Sequence, residues 1–179
     1  MAENPHRRLG IAMTIGMWIL VLGLLTLLFQ NWGERQYNPN QSPAQSMRSN
    51  AAGNGVLELV LERNRWGHYV ATGSINGESV VFMLDTGASD ISVPDAVANR
   101  LGLRRGPVMN YQTANGAINV YATTLNEVAL GDIALSNVRA SINPHMDGEE
   151  VLLGMSFLKH LEFTQQGNTL TLRQNLAGQ

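Results

Sequence analysis

The sequence predicts a mainly β domain with one or two short helices, carried behind a single transmembrane helix. Three observations predict it. Residues Leu9 to Phe29 run without a charged side chain, long enough for a helix to span a bilayer, which takes about 20 apolar residues. From Val56 onward, short apolar and β-branched runs alternate with turns containing Gly and Asn, the pattern of strands joined by hairpins. Helical spacing is confined to Pro94–Leu101 and to a stretch beginning at about Met155, so helices are few.

The N-terminal part follows a charge order. His6, Arg7 and Arg8 precede the apolar run and Glu34 follows it, which places residues 1–8 in the cytoplasm and the rest of the chain on the far side. A cleavable signal sequence fits less well, because its apolar core has about 7 to 15 residues followed by small residues at the cut. Here Gln30-Asn31-Trp32-Gly33-Glu34 offers no Ala-x-Ala pattern, and Trp32 suits an interfacial anchor. Residues 9–29 are therefore expected to be an uncleaved membrane anchor. Residues 30–55 are rich in Asn, Gln, Ser, Pro, Ala and Gly without an apolar period. Such a segment buries too little to offset its ordering entropy, and a flexible linker is expected. Residues 56–179 form the folded domain.

Composition narrows the chemistry. With 179 residues, 44% hydrophobic and 15% charged, the chain suits one folded domain plus the N-terminal segment. A formal net charge of −2 and the lack of a basic face argue against a nucleic-acid partner. There is no cysteine, which excludes disulfides, thiol nucleophiles and thiolate metal sites. His68, His145 and His160 are scattered without the spacing of metal ligands. No metal or organic cofactor is expected.

Taken in order, Val56–Glu62 reads as a strand and Asn64–Gly67 as a turn. His68–Ile75, Asn76-Gly77 and Ser79–Leu84 read as a hairpin, Asn-Gly being the strongest two-residue turn signal. Its second strand ends on a carboxylate, Asp85, after which Thr86 and Gly87 must turn the backbone sharply. Pro94–Leu101 is a short helix, with Pro at its start and Gly102 past its end. Val108–Thr113, Asn115-Gly116 and Ile118–Leu125 form a second hairpin, whose tip is Thr113-Ala114-Asn115-Gly116. Further strands are expected at Leu125–Leu130, Ala134–Ile142, Glu162–Thr164 and Thr169–Arg173. Val151–Leu161 begins as a buried strand and becomes helical at about Met155.

Phe82-Met83-Leu84-Asp85-Thr86-Gly87-Ala88-Ser89 resembles the active-site signature of the aspartic proteases, and Ala88 makes it more similar to the retroviral branch than to the pepsins. Asp-Thr-Gly alone is also an ordinary turn. Two further features accompany it. The second hairpin occupies the place in chain order of the family's flap, and Leu152-Leu153-Gly154 resembles the hydrophobic-hydrophobic-Gly element before the family's C-terminal helix. The resemblance covers roughly Val56 to Arg173 and is to bacterial membrane-anchored retropepsin-like proteases of clan AA.

That resemblance implies a closed β-barrel equal to half of a two-lobed protease. It gives Asp85 the catalytic acid/base role. Because the chain has one such motif, two copies of Asp85 must meet at a two-fold axis, and a homodimer is implied. Thr86 then makes a buried hydroxyl contact across the dimer, and Gly87 makes a backbone contact that orients the carboxylate. Ala88 belongs to the same turn, Ser89 is expected to hydrogen-bond the outer carboxylate oxygen, and Gly154 lets its strand pass behind the loop. Thr113, Ala114, Asn115 and Gly116 are the flap tip over a peptide or protein substrate, with less glycine than retroviral flaps carry. Asp90, Asp95 and Asp132 read as structural: Asp90 is too near Asp85 in sequence to face it across a substrate, Asp95 fits a first helical turn, and Asp132 a turn. The implied function is a membrane-anchored aspartic endopeptidase on the extracytoplasmic side of the inner (cytoplasmic) membrane, which is the periplasm if the host is a Gram-negative bacterium. The alternative is a catalytically silent module of the same fold that binds an extended peptide.

Overall fold

A computed structural model of the chain describes residues 5–49, 55–113 and 116–176. It divides into two compact units, one ending at Tyr37 and one beginning at Asn38. In the first, α1 (Pro5–Tyr37) is a 33-residue helix. Its portion from Met13 onward is long and apolar enough to cross a membrane, and none of that window is buried. Leu20, Leu24, Leu27 and Phe29 are all exposed. The helix continues eight residues past the expected end of the anchor at Phe29.

The second unit contains β1 (Ala44–Ser49), β2 (Gly55–Glu62), β3 (Val70–Ile75), β4 (Glu78–Leu84), β5 (Ile91–Pro94) and α2 (Asp95–Arg100). These are followed by β6 (Val108–Thr113), β7 (Gly116–Leu130), β8 (Ile133–Asn143), β9 (Glu150–Leu153), α3 (Met155–Leu158), β10 (Glu162–Gln166) and β11 (Thr169–Asn175). One sheet has the order β1-β2-β11-β10, and the other β3-β4-β9-β5-β8-β7-β6. The larger sheet curls until β3 pairs with β7 at Ser74–Ala129 and Ile75–Val128, which closes a barrel-like ring with β6 outside it. The ring is thinnest between β5 and β9, joined through the register pair Ser92–Leu152.

Local chemistry accounts for most of these elements. The β3–β4 turn places Asn76 at φ 53° and Gly77 at φ 83°, the left-handed pair that a two-residue hairpin demands and that Asn-Gly supplies at little cost. Along β8, Val138, Ala140 and Ile142 are buried in the core, while Arg139, Ser141 and Asn143 fall on the other face by the two-residue period of a strand. Phe82, Ile91, Val93, Leu125, Leu153 and Phe157 are fully buried. Each such side chain gains about 1.5–3 kcal/mol relative to exposure.

The structure departs from the sequence reading at several places. The segment expected as a flexible linker, residues 30–55, begins as the end of α1 and continues into ordered contacts, while 50–54 lie outside the described residues. Asn38 and Asn40 are buried at 6% and 4% exposure. The Asn40 amide donates to the carbonyls of Glu62 (2.8 Å) and Val70 (2.7 Å), and its oxygen accepts from the Glu62 N–H at 2.7 Å. Asn38 donates to Thr72 Oγ1 at 2.9 Å. β1 then pairs antiparallel with β2, from Ala44–Val60 to Ser49–Gly55. A polar segment without apolar period is thus ordered by hydrogen bonds to backbone groups, which composition does not reveal. Residues 116–130 form one continuous strand instead of two, because β8 pairs along it from Tyr121 to Leu130. β5 is an additional short strand, and α3 is a single turn.

Candidate active site

β4 and β9 run parallel, with Met83 opposite Leu152 and Leu84 opposite Leu153. Parallel partners end at the same edge, so Asp85 and Gly154 emerge side by side. The Asp85 N–H donates to the Leu153 carbonyl at 3.2 Å. Beyond it the chain turns on the Asp85 side chain itself: the Gly87 N–H donates to Asp85 Oδ1 at 2.8 Å, and the Ala88 N–H to the Asp85 carbonyl at 3.2 Å. One carboxylate oxygen is thereby fixed from the protein side.

The 154–156 segment clamps this loop from behind. A Cβ at Gly154 would stand 2.2 Å from the Asp90 carbonyl oxygen and 2.6 Å from that of Ala88, so the approach requires glycine. The Met155 N–H donates to the Ala88 carbonyl at 2.8 Å, and the Ser156 N–H to that of Ser89 at 2.9 Å. The Ser156 hydroxyl accepts from the Ile91 N–H at 3.0 Å.

The loop forms one wall of a cleft of about 800 Å³. The β6–β7 hairpin forms the opposite wall, through Met109, Tyr111, Thr113, Ile118 and Val120. This is the hairpin expected as a flap. Thr113 Oγ1 donates to the Gly116 carbonyl at 2.8 Å, and the tip residues Ala114 and Asn115 lie outside the described residues. Of the other expected site residues, Asp85, Gly87, Ala88 and Ser89 line the cleft and Thr86 is exposed. The Ser89 hydroxyl makes no hydrogen bond to Asp85 among the described residues; Ser89 enters through its carbonyl.

Sequence reasoning missed the link between the two walls. Asp90 is 3% exposed. The Tyr111 hydroxyl on β6 donates to its Oδ2, and Arg139 Nε on β8 donates to its Oδ1 at 2.6 Å. Burial first, then the hydrogen bond and charge of Asp90, push the Tyr111 hydroxyl up to about 12, so it stays a donor. The same carboxylate, through its hydrogen bond and charge, raises Arg139 above its ordinary value. The alternation of β6 (Met109, Tyr111, Thr113) and of β8 was the available signal. Asp95 begins α2 and pairs with Arg105 Nη2 at 2.7 Å, and Asp132 sits in the β7–β8 turn. Among the described residues, no group of three or more His, Cys, Asp or Glu side chains is placed to hold a metal ion.

A curled sheet that carries an Asp-Thr-Gly turn under a hairpin, with a Leu-Leu-Gly strand behind the turn, defines a retropepsin-like aspartic protease fold. The comparisons agree. A family described as "gag-polyprotein putative aspartyl protease" matches residues 71–160, and the chain belongs to that family. The crystal structure of a retropepsin-like aspartic protease from Rickettsia conorii is similar at TM-score 0.58 and 30% identity, over 74% of this chain and 96% of that one. An uncharacterised Sinorhizobium protein, from the region 5′ of cobV, is 32% identical over 62% of this chain and 49% of its own length. The uncharacterised Rickettsia prowazekii protein RP867 is 32% identical over 60% of this chain and 47% of its own. The chain spans about half the length of the curated relatives it matches.

Proposed function

We propose that this chain is an aspartic endopeptidase that cuts extended peptides with a water held between two Asp85 carboxyls of a homodimer. The observation that carries the reading is the Asp85 carboxylate, fixed on the cleft wall by the Gly87 N–H at 2.8 Å. One protomer supplies one such carboxylate, and a two-fold axis through the site supplies the second. The ionised carboxylate takes a proton from the water as its oxygen bonds to the scissile carbonyl carbon, and the protonated partner donates to the carbonyl oxygen. The resulting tetrahedral diol breaks its C–N bond as the amine takes a proton from a carboxyl.

The β6–β7 hairpin covers the peptide, which lies extended as an added strand. On this reading the apolar part of α1 anchors the protein in the inner membrane, and Arg7 and Arg8 in its first turns keep residues 1–8 in the cytoplasm. Anchoring two copies in one membrane raises their effective concentration and favours pairing.

The test is peptide-library cleavage, read by mass spectrometry, with the full chain in detergent micelles and its Asp85→Asn variant. Cleavage by the wild type and its loss in Asp85→Asn, with unchanged thermal unfolding, is the expected result. Cleavage that persists in Asp85→Asn removes this residue from the chemistry. Peptide binding without cleavage by the wild type leaves the silent binding module in its place.

A further inference from the structure

The cleft holds a charged feature that water activation does not use. Both oxygens of the buried Asp90 carboxylate are engaged, Oδ1 by Arg139 Nε and Oδ2 by the Tyr111 hydroxyl. Arg139 itself is different: its side chain is 70% exposed and lines the cleft. A guanidinium presents five N–H donors in a planar fork. The bond to Asp90 uses Nε–H, and among the described residues the terminal Nη groups have no protein acceptor. Asp90 therefore orients the fork from beneath and leaves its outer edge open, the edge that matches a carboxylate with two parallel hydrogen bonds.

The surroundings favour an anion at that edge. Arg139 is the cation among the described lining residues, Asp85 and Asp90 are the carboxylates, and the wall along β5 and β8 beside Arg139 is the uncharged Ser92, Ser141 and Asn143. Asp90 offsets part of the charge, but it lies behind the guanidinium while an incoming group meets the solvent side, and nearer charges dominate. An extended peptide turns every second side chain to the same wall, so one of them falls over β8 at Arg139.

We propose that the outer edge of Arg139 is a subsite for an anionic substrate side chain, giving the enzyme a preference for Glu or Asp at that position. The proposal rests on the peptidase reading above. Glutamine at the same position offers one uncharged oxygen, so it is the control that isolates charge and bidentate geometry from size.

The experiment uses the full chain in detergent micelles. A randomised peptide library locates the position of acidic preference, and two peptides differing there as Glu or Gln are then compared by kcat/KM. The wild type is expected to favour Glu by about tenfold, the scale of one charge-assisted hydrogen bond. Arg139→Gln abolishes the preference and Arg139→Lys keeps part of it. Because Arg139→Gln leaves Asp90 buried without its cation, the double variant Asp90→Asn, Arg139→Gln is measured beside it and is expected to treat both peptides alike. A library without acidic preference, or a preference that survives in both Arg139→Gln proteins, overturns the subsite. If the wild type cuts nothing in the library, binding of extended peptides that differ as Glu or Gln at each position in turn is read by fluorescence anisotropy with Asp85→Asn and with Asp85→Asn, Arg139→Gln. Glu-selective binding that requires Arg139 keeps the subsite and removes the peptidase; equal binding removes the subsite as well.

Discussion

Gly154 lies so close beneath Asp90 that a Cβ on the first would stand 2.2 Å from the carbonyl oxygen of the second. Since the contact is backbone to backbone, no side chain can rotate away to relieve it. Gly154→Ala is expected to cost about 3 kcal/mol, the upper end of overpacking, and to displace the loop carrying Asp85. Thermal unfolding of the full chain measures the first, and peptide cleavage the second. Unchanged stability would show that the loop shifts without cost.

Asn40 makes three side-chain hydrogen bonds to buried or part-buried backbone groups of Glu62 and Val70. Asn40→Ala orphans them and is expected to cost about 3 kcal/mol. Asn40→Asp, of the same shape, is expected to lose at least as much, because an oxygen would face two carbonyls. Native-state hydrogen exchange at the Glu62 amide reports this directly: its protection falls in both variants.

Tyr111 gives a pH dependence with a defined sign. Its hydroxyl titrates at about 12 in the folded state against 10.0 as the ordinary value, so the folded state holds the proton more tightly. The associated stability is complete below pH 10 and is lost as pH rises through about 12. Tyr111→Phe is expected to remove that part of the alkaline slope in unfolding measured from pH 9 upward. At neutral pH it costs about 2 kcal/mol for a hydrogen bond to a buried carboxylate. An unchanged alkaline slope would separate Tyr111 from Asp90.

Pairing has its own signature. If activity needs two Asp85 residues, mixing equal amounts of wild type and Asp85→Asn under conditions of free exchange leaves about a quarter of the pairs intact, by random assortment of identical interfaces. Activity per wild-type chain then falls to about half. Activity that simply scales with wild-type content would assign catalysis to a single protomer.

What the sequence made legible was set by distance along the chain. The Asp85 turn, the Asn76-Gly77 hairpin and the flap-like hairpin are governed by residues within a few positions of one another, and each stands where local chemistry put it. Gly154 was readable through resemblance, because Leu152-Leu153-Gly154 is similar to the family's hydrophobic-hydrophobic-Gly element. The Asp90 link was not, since Tyr111 and Arg139 lie 21 and 49 residues away and meet only once β5, β6 and β8 share a sheet. Asn40 escaped for the same reason: its partners Glu62 and Val70 are 22 and 30 residues distant, and nothing beside it in sequence distinguishes an anchoring asparagine from a solvated one.

The site has a floor and a roof of different construction. The floor is knitted by backbone bonds between residues 85–89 and 153–156, and only the bond from Ile91 to the Ser156 hydroxyl depends on a side chain. The roof is a hairpin, stitched to that floor where Tyr111 meets Asp90. Its tip can therefore be lengthened, shortened or re-lettered without disturbing the carboxylate below, so what this scaffold accepts can be re-engineered separately from what it does.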